Sequence, residues 1–576
     1  MSTFSLSTSF FCPFFPKTSQ FSLTKTSKHP QFSTPISCKT TKDEDHNQNN
    51  PTTRRDVLIG LGGFYGATTI GHGHDQLAMA KPILAPDLTK CGNAKLPENA
   101  LFTDCCPPLP STTISDFVLP SSDLPLRVRP AAHLLDDAYI AKYKKAMELM
   151  KALPDDDPRS FYQQGRVHCA YCDGAHTQIG LPDLDLQVHN SWLFFPFHRL
   201  YLYFYEKILG KLIDDPTFAL PFWNWDHPDG MFLPTIYADP ESPLYNELRN
   251  KDHQPPKIID LNFDKIDWDY PNQVEFNLTI MFRQMISNGK TARLFHGEPF
   301  RQGDNPNPGA GSVENVPHGA VHNWTGDKSQ TNNEDMGNLY SAARDPVFYS
   351  HHSNVDRMWN IWKTLGPKRT DPTDTDWLDA AFTFYDENTN PVRCKVSDSL
   401  DTKKLRYVYQ DVEIPWLSFK PQPKKSVKKK TPSAAGKKNL TPITLFPLVL
   451  NKPISTMVRR PKKSRSKKEK EDEEEVLVIK GIEFENDAGV KFDVYVNDED
   501  DLQPGPNSSE FAGSFVNVPH LHKHGKKMKT VLRLGLTDLL EDLDAENDDS
   551  VVVTLVPRYN TGAVNIGGIN IEFVRD

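Results

Sequence analysis

The 576-residue chain has no apolar run long enough to cross a membrane. A spanning helix takes about 20 apolar residues, whereas the longest run, Val57 to Ile70, is short and broken by four glycines. No stable membrane anchor is expected in the mature chain. Acidic residues are absent from residues 1–42, which hold 17 Ser or Thr and five Lys. That acid-free, hydroxyl-rich composition belongs to organelle transit peptides. There is no excess of positive charge over the whole chain, whose net charge is −9, so no nucleic acid partner is expected. No second Cys-x-x-C accompanies Cys169-Ala-Tyr-Cys172, which argues against a four-thiolate zinc site. Glycine, at 31, is outnumbered by proline, at 47, a sign of many fixed loops.

A second address follows the first. Arg54-Arg55 precedes Val57 to Ile70 and then Ala78-Met79-Ala80. Twin arginine, a short apolar core and a small-x-small site describe a Tat-type export signal. Two signals in series predict passage into the chloroplast and then the thylakoid lumen, with residues 1–80 removed. Of the eight cysteines, Cys12 and Cys38 lie in this address, and six remain in the mature chain. Six cysteines allow fifteen pairings, and an exported chain favours disulfides.

Residues 81–417 read as mainly helical with long loops. Asp136 to Ala152 carries apolar residues at helical spacing; Leu186 to Leu212 reads as buried helix on both sides of a bend at Pro196. Pro271 to Ile286 is a third helix, with Asn272 as its cap. Pro346 to Lys363 is a fourth, capped by Asp345. Residues 418–475 read as a basic, solvated linker: Pro421 to Lys470 holds sixteen Lys or Arg against one acid, Glu469, with no aromatic interleaving for base stacking. From 476 to 576 the hydrophobic period becomes two. Strands are expected near Val476–Ile479, Val490–Val496, Lys529–Leu534, Val551–Val556 and Ile569–Val574, giving an all-β, sandwich-like domain.

The chemistry lies in the histidines. His168, His189 and His198 form one group, the last two within an aromatic stretch. His318 and His322 form an i,i+4 pair that shares one helical face, followed by the adjacent His351 and His352. Zinc would more often recruit a carboxylate or thiolate, whereas all-imidazole sites suit copper. His520, His522 and His524 alternate in a short stretch that reads equally as a solvated turn or a metal-handling site.

Several runs resemble the plant polyphenol oxidases, the catechol oxidases and tyrosinases of the type-3 copper family. They are His168-Cys-Ala-Tyr-Cys172, His189 to Arg199, Pro317-His318-Gly-Ala-Val-His322 and Asp345 to Arg357, with Asp376-Trp377-Leu378 and Lys491-Phe492-Asp493-Val494 beyond them. The resemblance implies a four-helix core around two copper ions, held by His168, His189 and His198 and by His318, His322 and His352, with His351 a neighbour. It implies a thioether between Cys172 and His189, disulfides Cys91–Cys105 and Cys106–Cys169, and a free Cys394. Glu314 would hold a water that accepts the phenol's proton, and Asn323 would position it. Gly319 and Leu339 would shape the substrate pocket, Leu339 making a wider mouth than phenylalanine.

The implied activity is oxidation of o-diphenols to o-quinones with O2 as co-substrate; whether monophenols are also hydroxylated stays open. The enzyme would be latent until an activating protease cuts the linker and frees the β domain from the mouth of the site. Small phenols would then be its other partners. The alternatives are a haemocyanin-like O2-binding protein and a specialised phenylpropanoid or flavonoid oxidase.

Overall fold

A computed structural model describes residues 80–100, 103–421, 440–498 and 505–575. The twin-arginine address and part of the Lys-rich segment, 422–439, lie outside the described residues. Among those described, no helix is long and apolar enough to cross a membrane.

The helical core begins with α1, Asp137–Lys151, capped by the Asp136 carboxylate, which accepts the Tyr139 N–H at 2.7 Å. Helix α2, Phe161–Cys172, is capped by Ser160 and is buried along most of its length. Helix α3, Phe194–Leu212, starts later than the hydrophobic run predicts. Asn190 takes a left-handed conformation, φ 55°, which ends any helix reaching it from Leu186. Pro196 then falls in the first turn, where its missing N–H costs no hydrogen bond, so there is no bend.

Helix α4, Tyr270–Phe282, is capped by Asp269 rather than Asn272: the Asp269 carboxylate accepts the Asn272 N–H at 3.1 Å. A wide turn over Glu314–His318 leads into α5, Gly319–Thr325. Helix α6, Val347–Trp362, begins where Asp345 Oδ1 accepts the Val347 N–H at 2.9 Å. One apolar core joins these helices.

The C-terminal unit is a sandwich of antiparallel ladders. Its strands are β1 (Ile454–Arg459), β2 (Glu474–Glu485), β3 (Lys491–Val496), β4 (Phe511–Val516), β5 (Lys527–Gly535), β6 (Ser550–Tyr559) and β7 (Asn565–Val574). One sheet runs β5-β2-β7 and ends on the short strand Leu448–Val449; the other runs β4-β3-β6-β1. Their inner faces form a second core that includes Leu477, Ile479, Phe492, Val494 and Leu555.

The expected linker 418–475 is therefore too long. Leu448–Val449 and β1 fall inside it and pair with β7 and β6. Ile454, Thr456 and Val458 point inward while Met457 and Arg459 face solvent. The count of basic residues hid this period-two pattern. Arg460, next along, is buried against Glu475 at 2.8 Å. The sequence reading also missed β4.

The cysteine pairing differs too. The disulfides are Cys91–Cys106 and Cys105–Cys169, not Cys91–Cys105 and Cys106–Cys169. Cys105 is fully buried and faces Cys169 on α2, whereas its neighbour Cys106 is half-buried and turns the other way, towards the half-buried Cys91. Cys172 and Cys394 are free and buried.

Candidate metal centre

Among the described residues, two groups of side chains are compact enough to hold a metal. They are His168, His189 and His198, and His318, His322, His351 and His352, all buried. Helices α2 and α3 supply His168 and His198, and the loop at Asn190 supplies His189. The wide turn and α5 supply His318 and His322, and α6 supplies the adjacent pair. The groups adjoin: the rings of His198 and His352 stack at 4.2 Å. Phe194 and Phe348 pack against both groups, with ring distances of 4.7 Å from Phe194 to His318 and 4.8 Å from Phe348 to His168.

Five of the seven rings are aimed by Nδ1. His168 Nδ1 donates to the Leu339 carbonyl at 2.9 Å, and His198 Nδ1 to the Phe194 carbonyl at 2.8 Å. His318 Nδ1 donates to the Glu314 carbonyl at 2.9 Å, and His322 Nδ1 to the Met336 carbonyl at 2.6 Å. Gln187 Oε1 faces His189 Nδ1 at 3.3 Å and accepts the His189 backbone N–H at 2.9 Å, while its amide nitrogen donates to the Cys172 carbonyl at 2.7 Å. A carbonyl only accepts, so these five rings carry their proton on Nδ1 and present a lone pair at Nε2.

Nε2 of His168, His189, His198 and His318 has no partner, and His322 Nε2 faces only His352 Nε2, at 3.3 Å. Burial depresses the basicity of all seven rings, to about 3 at His198 and about 4 at His322. They are neutral near pH 7 and available as donors. A buried set of neutral imidazoles with bare lone pairs and no thiolate or carboxylate among the donors fits copper.

The helices bearing the two groups are tied by charge. Arg199, next to His198, donates Nε to Asp356 Oδ1 at 2.5 Å; Asp356 lies one turn beyond His352. Arg129 and Tyr407 bind the other Asp356 oxygen at 3.2 and 2.6 Å.

The remaining expected residues fall around this centre. Glu314 is buried; its Oε1 accepts the Asn190 N–H, its Oε2 has no partner, and burial pushes its carboxyl well above the usual range. Gly319 lies under the β unit: a Cβ there would meet Val516 Cγ1 at 3.3 Å. Asn323 donates its amide to the Asn517 carbonyl at 3.1 Å. Leu339 is buried, and its backbone N–H donates to the Pro519 carbonyl at 3.0 Å while its own carbonyl holds His168.

The stretch from Ser514 to His524 thus lies over the centre. Val516 and Val518 join the helical core. Asn315 exchanges hydrogen bonds with Ser514 and Val516, and Asp173 Oδ1 accepts the Leu521 N–H at 2.8 Å. Of the three alternating histidines, only His524 is exposed to solvent. His520 and His522 are buried; Asn307 Nδ2 donates to His522 Nε2 at 2.7 Å, and His524 Nδ1 meets Asp185 at 2.7 Å. Sequence reasoning missed Gln187, Asp173 and the anchoring carbonyls. Only the acid beside Cys172 left a visible signal.

The common central domain of tyrosinase matches residues 158–365, the polyphenol oxidase middle domain 371–422, and the chloroplastic polyphenol oxidase C-terminal domain 446–573. A chloroplastic polyphenol oxidase of Malus domestica is 61% identical, covering 97% of this chain and 96% of its own length. Aureusidin synthase of Antirrhinum majus is 55% identical over 88% of this chain and 92% of its own length. The solved structure of latent apple tyrosinase is 64% identical, with a TM-score of 0.77, over 80% of this chain and 100% of that chain. Matched in order by three domains of one lineage and along nearly its whole length by a single relative, the chain belongs to the plant polyphenol oxidases, copper-dependent oxidases of the tyrosinase family.

Proposed function

We propose that His168, His189 and His198 hold one copper ion and His318, His322 and His352 a second, and that the pair oxidises catechols to o-quinones while O2 is reduced to water. The bare Nε2 atoms carry this reading: those of His168, His189, His198 and His318 are buried without a partner, an arrangement that bound cations satisfy. When bound, the copper pair supplies the electron exchange between phenol and O2. The chain supplies the rest. Backbone carbonyls fix the tautomer and direction of His168, His198, His318 and His322, and the Gln187 side chain those of His189. Phe194 and Phe348 exclude water, and the unpartnered Glu314 Oε2 holds a water that takes the phenol's proton. A thioether from Cys172 to His189 would fix one ligand ring further.

The enzyme is latent while the β unit lies over Gly319, Asn323 and Leu339. We place it in the chloroplast, as its relatives' names have it, and in the thylakoid lumen on the strength of the two serial addresses; protease protection after import into isolated chloroplasts tests this. A second reading, a specialised flavonoid or phenylpropanoid oxidase, is favoured by the aureusidin synthase relative. A panel of catechols, monophenols and flavonoids on trimmed enzyme separates the two.

The direct test is metal analysis. Wild-type protein should hold two coppers per chain, and His322→Ala should lose the second while keeping the first. One copper in the wild type, or zinc at full occupancy, would sink the assignment. Peptide masses from the same sample should show Cys172 and His189 joined, two hydrogens lighter than their sum.

A further inference from the structure

The second group holds four imidazoles, one more than its copper would use, and the surplus ring differs from the others in its hydrogen bond. His318 and His322 each give an Nδ1 proton to a carbonyl. His351 Nδ1 instead faces the Trp225 indole N–H at 3.2 Å. An indole N–H has no lone pair and can only donate. His351 Nδ1 must therefore accept, and in the neutral ring the proton then sits on Nε2. That nitrogen is buried and has no partner, yet His351 belongs to the group of side chains that could surround a metal.

We propose that Trp225 selects the ligands of the second copper: its indole N–H holds the His351 proton on Nε2, which keeps His351 out of the coordination sphere and leaves the third place to His352. The inference rests on the dicopper reading above. Trp225 is a positioning residue, and its own place is firmly set. It is fully buried. Trp223, two residues before it, donates its backbone N–H to the Ser350 carbonyl at 2.9 Å. Asp226, just after it, pairs with Arg357 at 3.0 Å and accepts from Asn354 at 2.9 Å. Ser350, Asn354 and Arg357 all lie on α6, so the indole is clamped to the helix that carries both candidate histidines. To coordinate through Nε2, His351 would have to move its proton to Nδ1, against the indole N–H. Three imidazoles leave a metal ion with a position open to a small ligand, and a fourth would fill it. By this inference Trp225 keeps the site open.

The test uses the copper-loaded full chain in its reduced state. NMR of isotope-labelled histidine should show six metal-bound rings protonated at Nδ1 and one free ring, His351, protonated at Nε2. Trp225→Phe removes the N–H and keeps an aromatic ring. With two coppers still bound, it should bring His351 onto the metal and lower catechol turnover after trimming by about 10–100-fold. Adding His351→Ala to that variant should restore turnover, which a merely structural role for Trp225 would not allow. His351 protonated at Nδ1 in the wild type overturns the proposal even if Trp225→Phe fails to fold, and so does a double variant as impaired as the single one. Fewer than two coppers in the wild type would instead bring down the dicopper reading, and this inference with it.

Discussion

At the scale of single residues, Asp173 shows how the cover and the core share a carboxyl. Its Oδ1 accepts the Leu521 N–H, its Oδ2 has no partner, and burial pushes it up to about 8. A carboxyl raised above its unfolded value favours folding fully only below that value, near pH 4, and the contribution is lost as pH rises towards 8. Asp173→Asn keeps the acceptor and removes the charge that must be suppressed. It should stabilise the intact chain by roughly 2–4 kcal/mol at pH 8 and not at all below pH 4. Denaturant unfolding at three pH values checks this, and equal stabilisation at every pH would refute it. Residues of this kind were nearly invisible in the sequence. The candidate copper ligands were legible because metal binding demands imidazole, and few positions offer it. The groups that aim them were not, because every residue has a carbonyl and nothing in the letters Leu339 or Met336 marks theirs as the ones used.

At the scale of elements, Asp356 joins α3 to α6 and is held by Arg199, Arg129 and Tyr407, all buried. Replacing it with alanine strands Arg199 in a low-dielectric interior, whereas Arg129 keeps a second carboxylate, Glu206, at 2.8 Å. Asp356→Ala should cost about 3–5 kcal/mol. It should also loosen copper on both sides, because the lost contact sits beside His198 and one turn beyond His352. Thermal unfolding and metal content measure both effects; a variant that melts lower with full copper would confine Asp356 to stability. The long helices were readable from spacing and caps, apart from the late start of α3 at a left-handed Asn190. Strand β1 was not: its inward Ile454, Thr456 and Val458 alternate with outward residues inside a run dominated by lysine and arginine, so net charge masked the period of two.

At the scale of the whole molecule, the β unit begins at or before Leu448, so the activating cut expected between Pro421 and Lys470 should fall ahead of it, where the sequence 422–439 offers trypsin seven lysines. A cut there breaks the covalent link between the two parts and leaves the described contacts between them in place. Lys491 still pairs with Asp264, Arg533 with Glu298, and Asn288 still bonds Ala512 and Gly535. A tether sustains an effective concentration on the order of millimolar, and its loss makes release a bimolecular equilibrium. Trypsin-nicked protein should therefore gain catechol activity as it is diluted, faster in mild detergent or acid, and should elute as one two-fragment species when concentrated. Full activation at every concentration immediately after the cut would show that the tether alone holds the cover.

The same burial has a bearing on chronology. All seven imidazoles lie within the protein, and Leu339 links the cover at Pro519 by hydrogen bonds to the candidate ligand His168. A cation reaching the finished latent fold finds the doorway shut and the first ligand already braced from outside. Copper must then arrive while the β unit is still ajar, or wait for it to open. Metal-free latent protein should take up copper slowly, at a rate that saturates as copper is raised because opening limits it, whereas the metal-free trimmed core should load in proportion to the copper supplied. In the life of this chain, the metal belongs to the period before closure, and the phenol to the period after release.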